Sequence, residues 1–203
     1  ARPLTGTPEI RAQVGALRRS IAFLAPLPED VAESFVSMRA RMLEASAPGP
    51  CFDIKSSRGG LIDIEFLTQY LQLLARESLD FDAMHDTEDL PRVRGEALDV
   101  DSASQNTWRA LEALDSEAII TRAYPSLELS ELSSDYLFLR RLEALIRLDV
   151  ERGQTVLPAA DAAREMLARR AGFHGEDAWG RLEAAIEQLR ERVQHTWHEV
   201  FGP

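Results

Sequence analysis

The sequence predicts an all-α protein, a multi-helix bundle with a short extended segment and a Gly-Gly loop before its central helix. Most of the 203 residues fall into stretches where apolar side chains recur at steps of three and four, the spacing of one helix face. Prolines and glycines separate these stretches, and one short segment, residues 52–55, alternates apolar and polar side chains as a strand does. The length is sufficient for one large domain with a substantial core.

The first 50 residues predict a helical hairpin. Thr7 and Pro8 provide a cap and a proline at the first helical position, and an apolar stripe follows from Ile10 to Leu24. Two prolines end this helix, and a second stripe then runs through Val31, Phe35, Met38 and Met42 before the Pro-Gly-Pro at 48–50. We expect residues 1–50 to form this hairpin and residues 51–203 the main bundle of a single domain.

The main bundle is predicted to contain six helices, over residues 61–77, 104–114, 116–124, 127–150, 159–171 and 176–201. Pro125 separates two of them, and Gly172 ends the one before the last. The last helix has the longest apolar stripe, formed by Trp179, Leu182, Ile186, Leu189, Val193, Trp197 and Val200. This face predicts packing against the rest of the bundle.

The helix predicted over 61–77 is apolar nearly all round, so we expect it to be central. Asp63 and Glu65 lie two residues apart, about 200° around the axis, and cannot readily bind one metal ion together. Glu65 belongs to a narrow polar strip, whereas Asp63 shares a face with apolar residues. Asp63 either lies at the open N-terminal end of the helix, where it accepts backbone N–H bonds, or is buried and needs a cation. Arg141 is the first candidate for that cation and Lys55 the second. Asp53, Asp63, Glu65 and Arg141 are predicted to form a structural polar network.

The loop from Asp53 to Gly60 is the segment most suited to chemistry. Gly59 and Gly60 stand beside a helix N-terminus, whose free N–H groups attract anions, and Lys55 and Arg58 add positive charge. A phosphate could approach this turn, and we expect the loop to be exposed. The alternative is a structural turn in which glycine supplies positive φ and acidic residues complement the helix dipole.

Composition excludes several classes of protein. The single cysteine, Cys51, forms no internal disulfide and suits a reducing compartment, and no apolar run approaches the ~18 residues that span a bilayer. We therefore expect a cytoplasmic protein without a membrane partner. The net charge of −11 disfavours nucleic acid and favours protein partners. Asp99 and Asp101 lack a preceding Gly-Ser turn, and the helical pair His195 and His198 lacks a third ligand, so no metal site, cofactor or catalytic residue is predicted.

Two ordered segments resemble a known family. Residues 53–66, with Asp-Ile-Lys, then Gly-Gly, then Asp-Ile-Glu-Phe, resemble a signature of the helical domain of bacterial glutamine synthetase adenylyltransferases. YLFLRRLEALIRL at residues 136–148, followed by Gln-Thr-Val-Leu-Pro at 154–158, resembles a later segment of the same domain. Residues 1–9 resemble the linker that leaves the preceding nucleotidyltransferase domain. The resemblance spans nearly the whole chain, with gaps at 79–102 and 115–135.

The resemblance implies a function for the parent enzyme. Such enzymes transfer AMP from ATP, with Mg²⁺, to a tyrosine of glutamine synthetase and remove it by phosphorolysis, under control of glutamine and the PII protein. Each has two modules, a nucleotidyltransferase domain followed by a helical domain, and FLTQYLQLL favours the second module here. The family's metal-binding carboxylates have no counterpart in this chain, so the chain alone is predicted to be inactive. The loop from Lys55 to Gly60 is then expected to face the nucleotidyltransferase domain and help to frame its nucleotide cleft.

Two other functions stay open. The related PII uridylyltransferases share a version of the same signature, although the FLRRLE segment argues against them. A purely structural or regulatory protein-interaction bundle, in which Gly59 and Gly60 only make a turn, is the second alternative.

Overall fold

The computed structural model describes residues 7–10, 13–14, 27–46, 51–75, 106–149 and 155–202. Seven helices have both bounds within these ranges: α1 (Val31–Ala45), α2 (Leu61–Ala75), α3 (Thr107–Leu114), α4 (Ala118–Ala123), α5 (Leu129–Asp149), α6 (Asp161–Ala171) and α7 (Ala178–Phe201). Extended pairing in the described residues is limited to one isolated bridge. The all-α prediction is confirmed.

Helix α2 is central, as its sequence predicts. It packs against α1, α3, α4, α5 and α7. Its buried residues lie on every side of the axis and include Leu61, Ile64, Leu67 and Leu71, each at most 1% exposed. Burying an aliphatic side chain of this size stabilises a fold by roughly 1.5–3 kcal/mol. The hydrophobic core therefore fixes the position of the start of α2 and of the glycine loop that precedes it.

The predicted start of the central helix at Leu61 is confirmed, whereas the other five predicted starts in the main bundle lie two or three residues too early, for example 104 against Thr107 and 176 against Ala178. The predicted stop at Gly172 is confirmed. Gly172 is left-handed with φ 102°, and Phe173 N–H donates to the Ala168 carbonyl at 2.9 Å. This is the pairing of a helix C-terminus that glycine closes, because glycine adopts positive φ without a Cβ clash.

Helix α1 is joined to the bundle through an aromatic cluster. The ring of Phe35 lies 5.7 Å from that of Phe66 and 5.6 Å from that of Tyr70, both on α2. Phe201, at the end of α7, lies 4.7 Å from Tyr70 and 6.2 Å from Phe35. The edge-on pairs that Phe35 makes with α2 and its stacked pair with Phe201 have geometries that favour aromatic contact. Residues 8–10 and 13–14 are helical, and the rest of the first predicted helix lies outside the described residues.

Candidate functional site

The two sequence segments that carry the family resemblance meet in space. Asp53 and Val156 form an isolated antiparallel bridge. Ile54 N–H donates to the Thr155 carbonyl at 2.9 Å, and Leu157 N–H donates to the Phe52 carbonyl at 2.9 Å. The extended segment before the glycine loop therefore has a partner about 100 residues later in the chain, which its alternation alone does not identify.

Asp53 organises the turn that follows this bridge. Its Oδ1 accepts hydrogen bonds from Lys55 N–H at 2.9 Å and from the Thr155 hydroxyl at 2.6 Å, and its Oδ2 accepts one from the Ser56 hydroxyl at 2.5 Å. Burial by itself raises the pKa of this carboxyl, but the hydroxyl and amide donors together outweigh burial, and the pKa lies below its ordinary value. Asp53 is thus held ionised as the cap of the turn.

The amides at the start of α2 are already bonded within the chain. Gly59 N–H donates to Asp63 Oδ2 at 2.6 Å. The next three amides donate to the carbonyls of Ser57, Ile54 and Lys55 at 2.9 to 3.1 Å. A helix N-terminus attracts anions through unsatisfied N–H groups, and here the loop satisfies them. The expectation of free amides for a phosphate is therefore wrong.

The two glycines are needed for close packing. Gly59 has φ 74°, and a Cβ there would stand 2.9 Å from the Cα and carbonyl oxygen of Arg190 on α7. A Cβ on Gly60 would stand 2.7 Å from the Ile54 carbonyl oxygen. Both glycines are buried, whereas Lys55 and Arg58 are exposed. The expected exposure of the loop thus holds for its two cations and is wrong for its glycines.

Asp63 is buried and has a cationic partner, which is Arg39 of α1. Arg39 Nε donates to Asp63 Oδ1, and the two side chains are 3% and 7% exposed. Arg39 Nη2 donates to the carbonyls of Ser56 at 2.9 Å and Ser57 at 3.2 Å. Because the other Asp63 oxygen holds Gly59, this ion pair connects α1, the loop and the start of α2.

The sequence prediction named the wrong cations for Asp63. Arg141 instead donates from Nη2 to the Arg170 carbonyl at 3.3 Å, on an exposed part of α5. Lys55 points its side chain into solvent. Glu65 accepts a hydrogen bond from the Tyr136 hydroxyl at 3.4 Å. Asp53, Asp63, Glu65 and Arg141 therefore make four separate sets of contacts rather than one network.

The role of Arg39 could have been predicted from its position beside the apolar stripe of α1. It lies four residues after Phe35, on the face that meets α2, and it is the buried residue of α1. A lone arginine at such a position, with an acidic residue on a neighbouring apolar face, indicates a buried ion pair.

The exposed face of the loop is positively charged. Within the described ranges, the side chains of Lys55 and Arg58 have no hydrogen bond or ion pair. Arg190 lies beside them, donates from Nε to the Arg58 carbonyl at 3.3 Å, and stacks 4.5 Å over the Phe52 ring. The chain carries a net charge of −11, so this loop is a local exception. Lys55 and Arg58 are the groups that remain available to an anionic partner.

The described residues bring no three His, Cys, Asp or Glu side chains into a metal-binding arrangement. None of their helices is long and apolar enough to cross a membrane. Asp99 and Asp101 lie outside the described residues.

Comparison with known proteins finds a matching family model and several matching relatives. A family model described as GlnD PII-uridylyltransferase matches residues 36–201. A bifunctional glutamine synthetase adenylyltransferase/adenylyl-removing enzyme of Streptomyces coelicolor is 28% identical over 201 residues, which cover 95% of this chain and 18% of the relative. An enzyme of the same description from Hahella chejuensis is 27% identical over 159 residues, 78% of this chain and 14% of the relative. One from Ralstonia nicotianae is 46% identical over 79 residues, 36% of this chain and 8% of the relative. The chain thus spans less than a fifth of the length of these relatives.

Proposed function

The chain belongs to the family whose model is described as GlnD PII-uridylyltransferase, and we propose that it is a helical domain of a glutamine synthetase adenylyltransferase. The observation that carries the proposal is the alignment of 95% of the chain with a bifunctional enzyme of that description. The parent enzyme would adenylylate and deadenylylate glutamine synthetase and so regulate nitrogen assimilation, with PII as a further partner and ATP and Mg²⁺ as cofactors. The module is proposed to be the second one.

The family model and the relatives name different reactions, and an activity assay separates them. The protein that contains this chain is incubated with labelled ATP and glutamine synthetase, and separately with labelled UTP and PII protein. We expect label on glutamine synthetase. Label on PII alone would favour the uridylyltransferase alternative, because the family model is described by that activity.

We propose that the domain positions two cations on its loop and supplies no catalytic group. The bridge at Asp53, the pair of Arg39 with Asp63 and the packed glycines hold the loop rigidly on the core. This leaves Lys55 and Arg58 exposed at its surface. Both cations would face the nucleotidyltransferase domain near its nucleotide cleft, where a cation stabilises phosphate charge. Gly59 and Gly60 contribute the shape of the loop.

Substitution of the two cations tests this role. Lys55→Ala and Arg58→Ala in the parent enzyme are expected to lower AMP transfer, because they remove positive charge without touching the core. Arg122→Ala, an exposed cation at the end of α4, is the matched control. Thermal melting of the 203-residue chain should be unchanged in all three variants. Unchanged AMP transfer and ATP affinity in both loop variants would favour the structural bundle instead.

The isolated chain is proposed to be folded and inert. Circular dichroism should report a helical protein, and incubation with labelled ATP, Mg²⁺ and glutamine synthetase should transfer no more AMP than a heat-killed sample. Transfer above that control would contradict the assignment of catalysis to another domain.

A further inference from the structure

A small pocket lies between α1 and α7, beside the glycine loop. Its volume is about 80 Å³. Val36 and Leu43 of α1 and Trp197 of α7 supply apolar walls, and Arg39, Arg58 and His198 supply polar ones. The proposed function assigns no role to this pocket.

The pocket has an excess of positive charge. Arg39 and Arg58 line it, Asp63 is its acidic residue, and Gln194 adds a neutral amide. Both oxygens of Asp63 are occupied, one by Arg39 Nε and the other by Gly59 N–H. Arg39 therefore neutralises the charge of Asp63, and Arg58 has no counter-ion among the described residues.

One side-chain N–H group of Arg39 also lacks a partner within the described ranges. Its Nε and Nη2 are bonded, but Nη1 is buried and has no hydrogen-bond partner in the described part of the chain. The residue as a whole is 2% exposed. An unsatisfied donor costs more free energy on a buried charged group than on a buried neutral one. A hydrogen bond from Nη1 to a bound acceptor would offset this cost.

We propose that this pocket binds a small oxyanion, a carboxylate or phosphate group. One water needs about 10–15 Å³ of such a volume, so a cavity of about 80 Å³ admits a group of several non-hydrogen atoms. Guanidinium groups match carboxylate and phosphate oxygens in geometry and charge. Arg58, at the exposed rim, makes the first contact. Arg39 also lines the pocket, and its Nη1 supplies the second donor.

Titration of the 203-residue chain with inorganic phosphate or with acetate, at constant ionic strength set by sodium chloride, tests the proposal. The indole N–H signal of Trp197 is followed by NMR, and the melting temperature is measured in parallel. We expect a saturable shift of the Trp197 signal and a rise in melting temperature that follows mass action. Phosphate acting alone assigns a phosphate group to the site, whereas acetate acting as well assigns carboxylates, including acidic protein side chains.

Three variants locate the site. Arg58→Gln should weaken binding about tenfold or more, because it removes a charge-assisted hydrogen bond. Ala40→Leu narrows the pocket from α1 without changing its charge and should also weaken binding. Arg122→Gln removes an exposed cation on α4, outside the pocket, and should bind as the wild type does. The proposal is overturned if neither anion gives a saturable shift, or if Arg58→Gln and Ala40→Leu both bind as tightly as Arg122→Gln. The assay needs no enzymatic activity, so its result is independent of the proposed function.

Discussion

Replacement of Arg39 by methionine should destabilise the fold more than any exposed substitution on α1. Methionine keeps a long apolar stem but removes the guanidinium, so Asp63 loses the cation bonded to its Oδ1. The carbonyls of Ser56 and Ser57 lose their donor at the same time. The change leaves an uncompensated carboxylate that is 7% exposed.

The size of the effect follows from burial. Removing one partner of a buried ion pair costs about 3–5 kcal/mol, since the remaining charge stays desolvated. For a domain of about 150–250 residues, each kcal/mol lowers the melting temperature by about 2–4 °C. Arg39→Met should therefore lower the melting temperature by roughly 6–20 °C. Asp63→Asn should also destabilise the chain, because it leaves the buried guanidinium of Arg39 without an anion, although the amide oxygen can still accept from Gly59 N–H.

Urea unfolding of the 203-residue chain, followed by circular dichroism, measures this difference. The slope of the free energy against urea should stay constant while the midpoint falls, which indicates a change in stability alone. Arg41→Met is the matched control, because Arg41 is exposed on the same helix. It should stay within about 0.5 kcal/mol of the wild type.

The double variant Arg39→Met with Asp63→Asn separates the ion pair from packing. A neutral pair leaves no buried charge, so the double variant should lose less than the sum of the single losses, by about 1–3 kcal/mol. Two outcomes would refute the reasoning. One is a loss below about 1 kcal/mol for Arg39→Met, and the other is strict additivity in the double variant.

Two further substitutions test the loop. Gly59→Ala should destabilise the chain more than Gly202→Ala in urea unfolding. Both glycines have positive φ, but only at Gly59, of these two, would a Cβ meet Arg190, at 2.9 Å. Equal losses of stability would refute the packing role of Gly59. Asp53→Asn should lower the stability of the chain at neutral pH, because the folded-state pKa of Asp53 is lowered. The gap in stability between variant and wild type should persist above the unfolded pKa of about 4 and close as pH falls through the folded pKa. Melting temperatures from pH 7 to 3, with the exposed Asp115→Asn as the control, measure that gap, and a gap that widens in acid would contradict the assigned direction.

The family resemblance that two sequence segments predict is confirmed by relatives that carry the same family name. The helix positions follow from local periodicity, and the central place of α2 follows from apolar residues on all its sides. Such features are set by neighbours within a few residues of each other, so the sequence is sufficient to predict them. Gly172 ends α6 for the same local reason.

The contacts of the candidate site required the tertiary structure. The apolar face that carries Asp63 predicts that this carboxylate needs a cation if it is buried. Which cation meets it depends on how α1 crosses α2, and Arg39 rather than Arg141 lies on the facing side. Asp53 likewise binds Thr155 across a separation of 102 residues. Pairings at such distances depend on how the helices pack against each other, which periodicity within one helix does not specify.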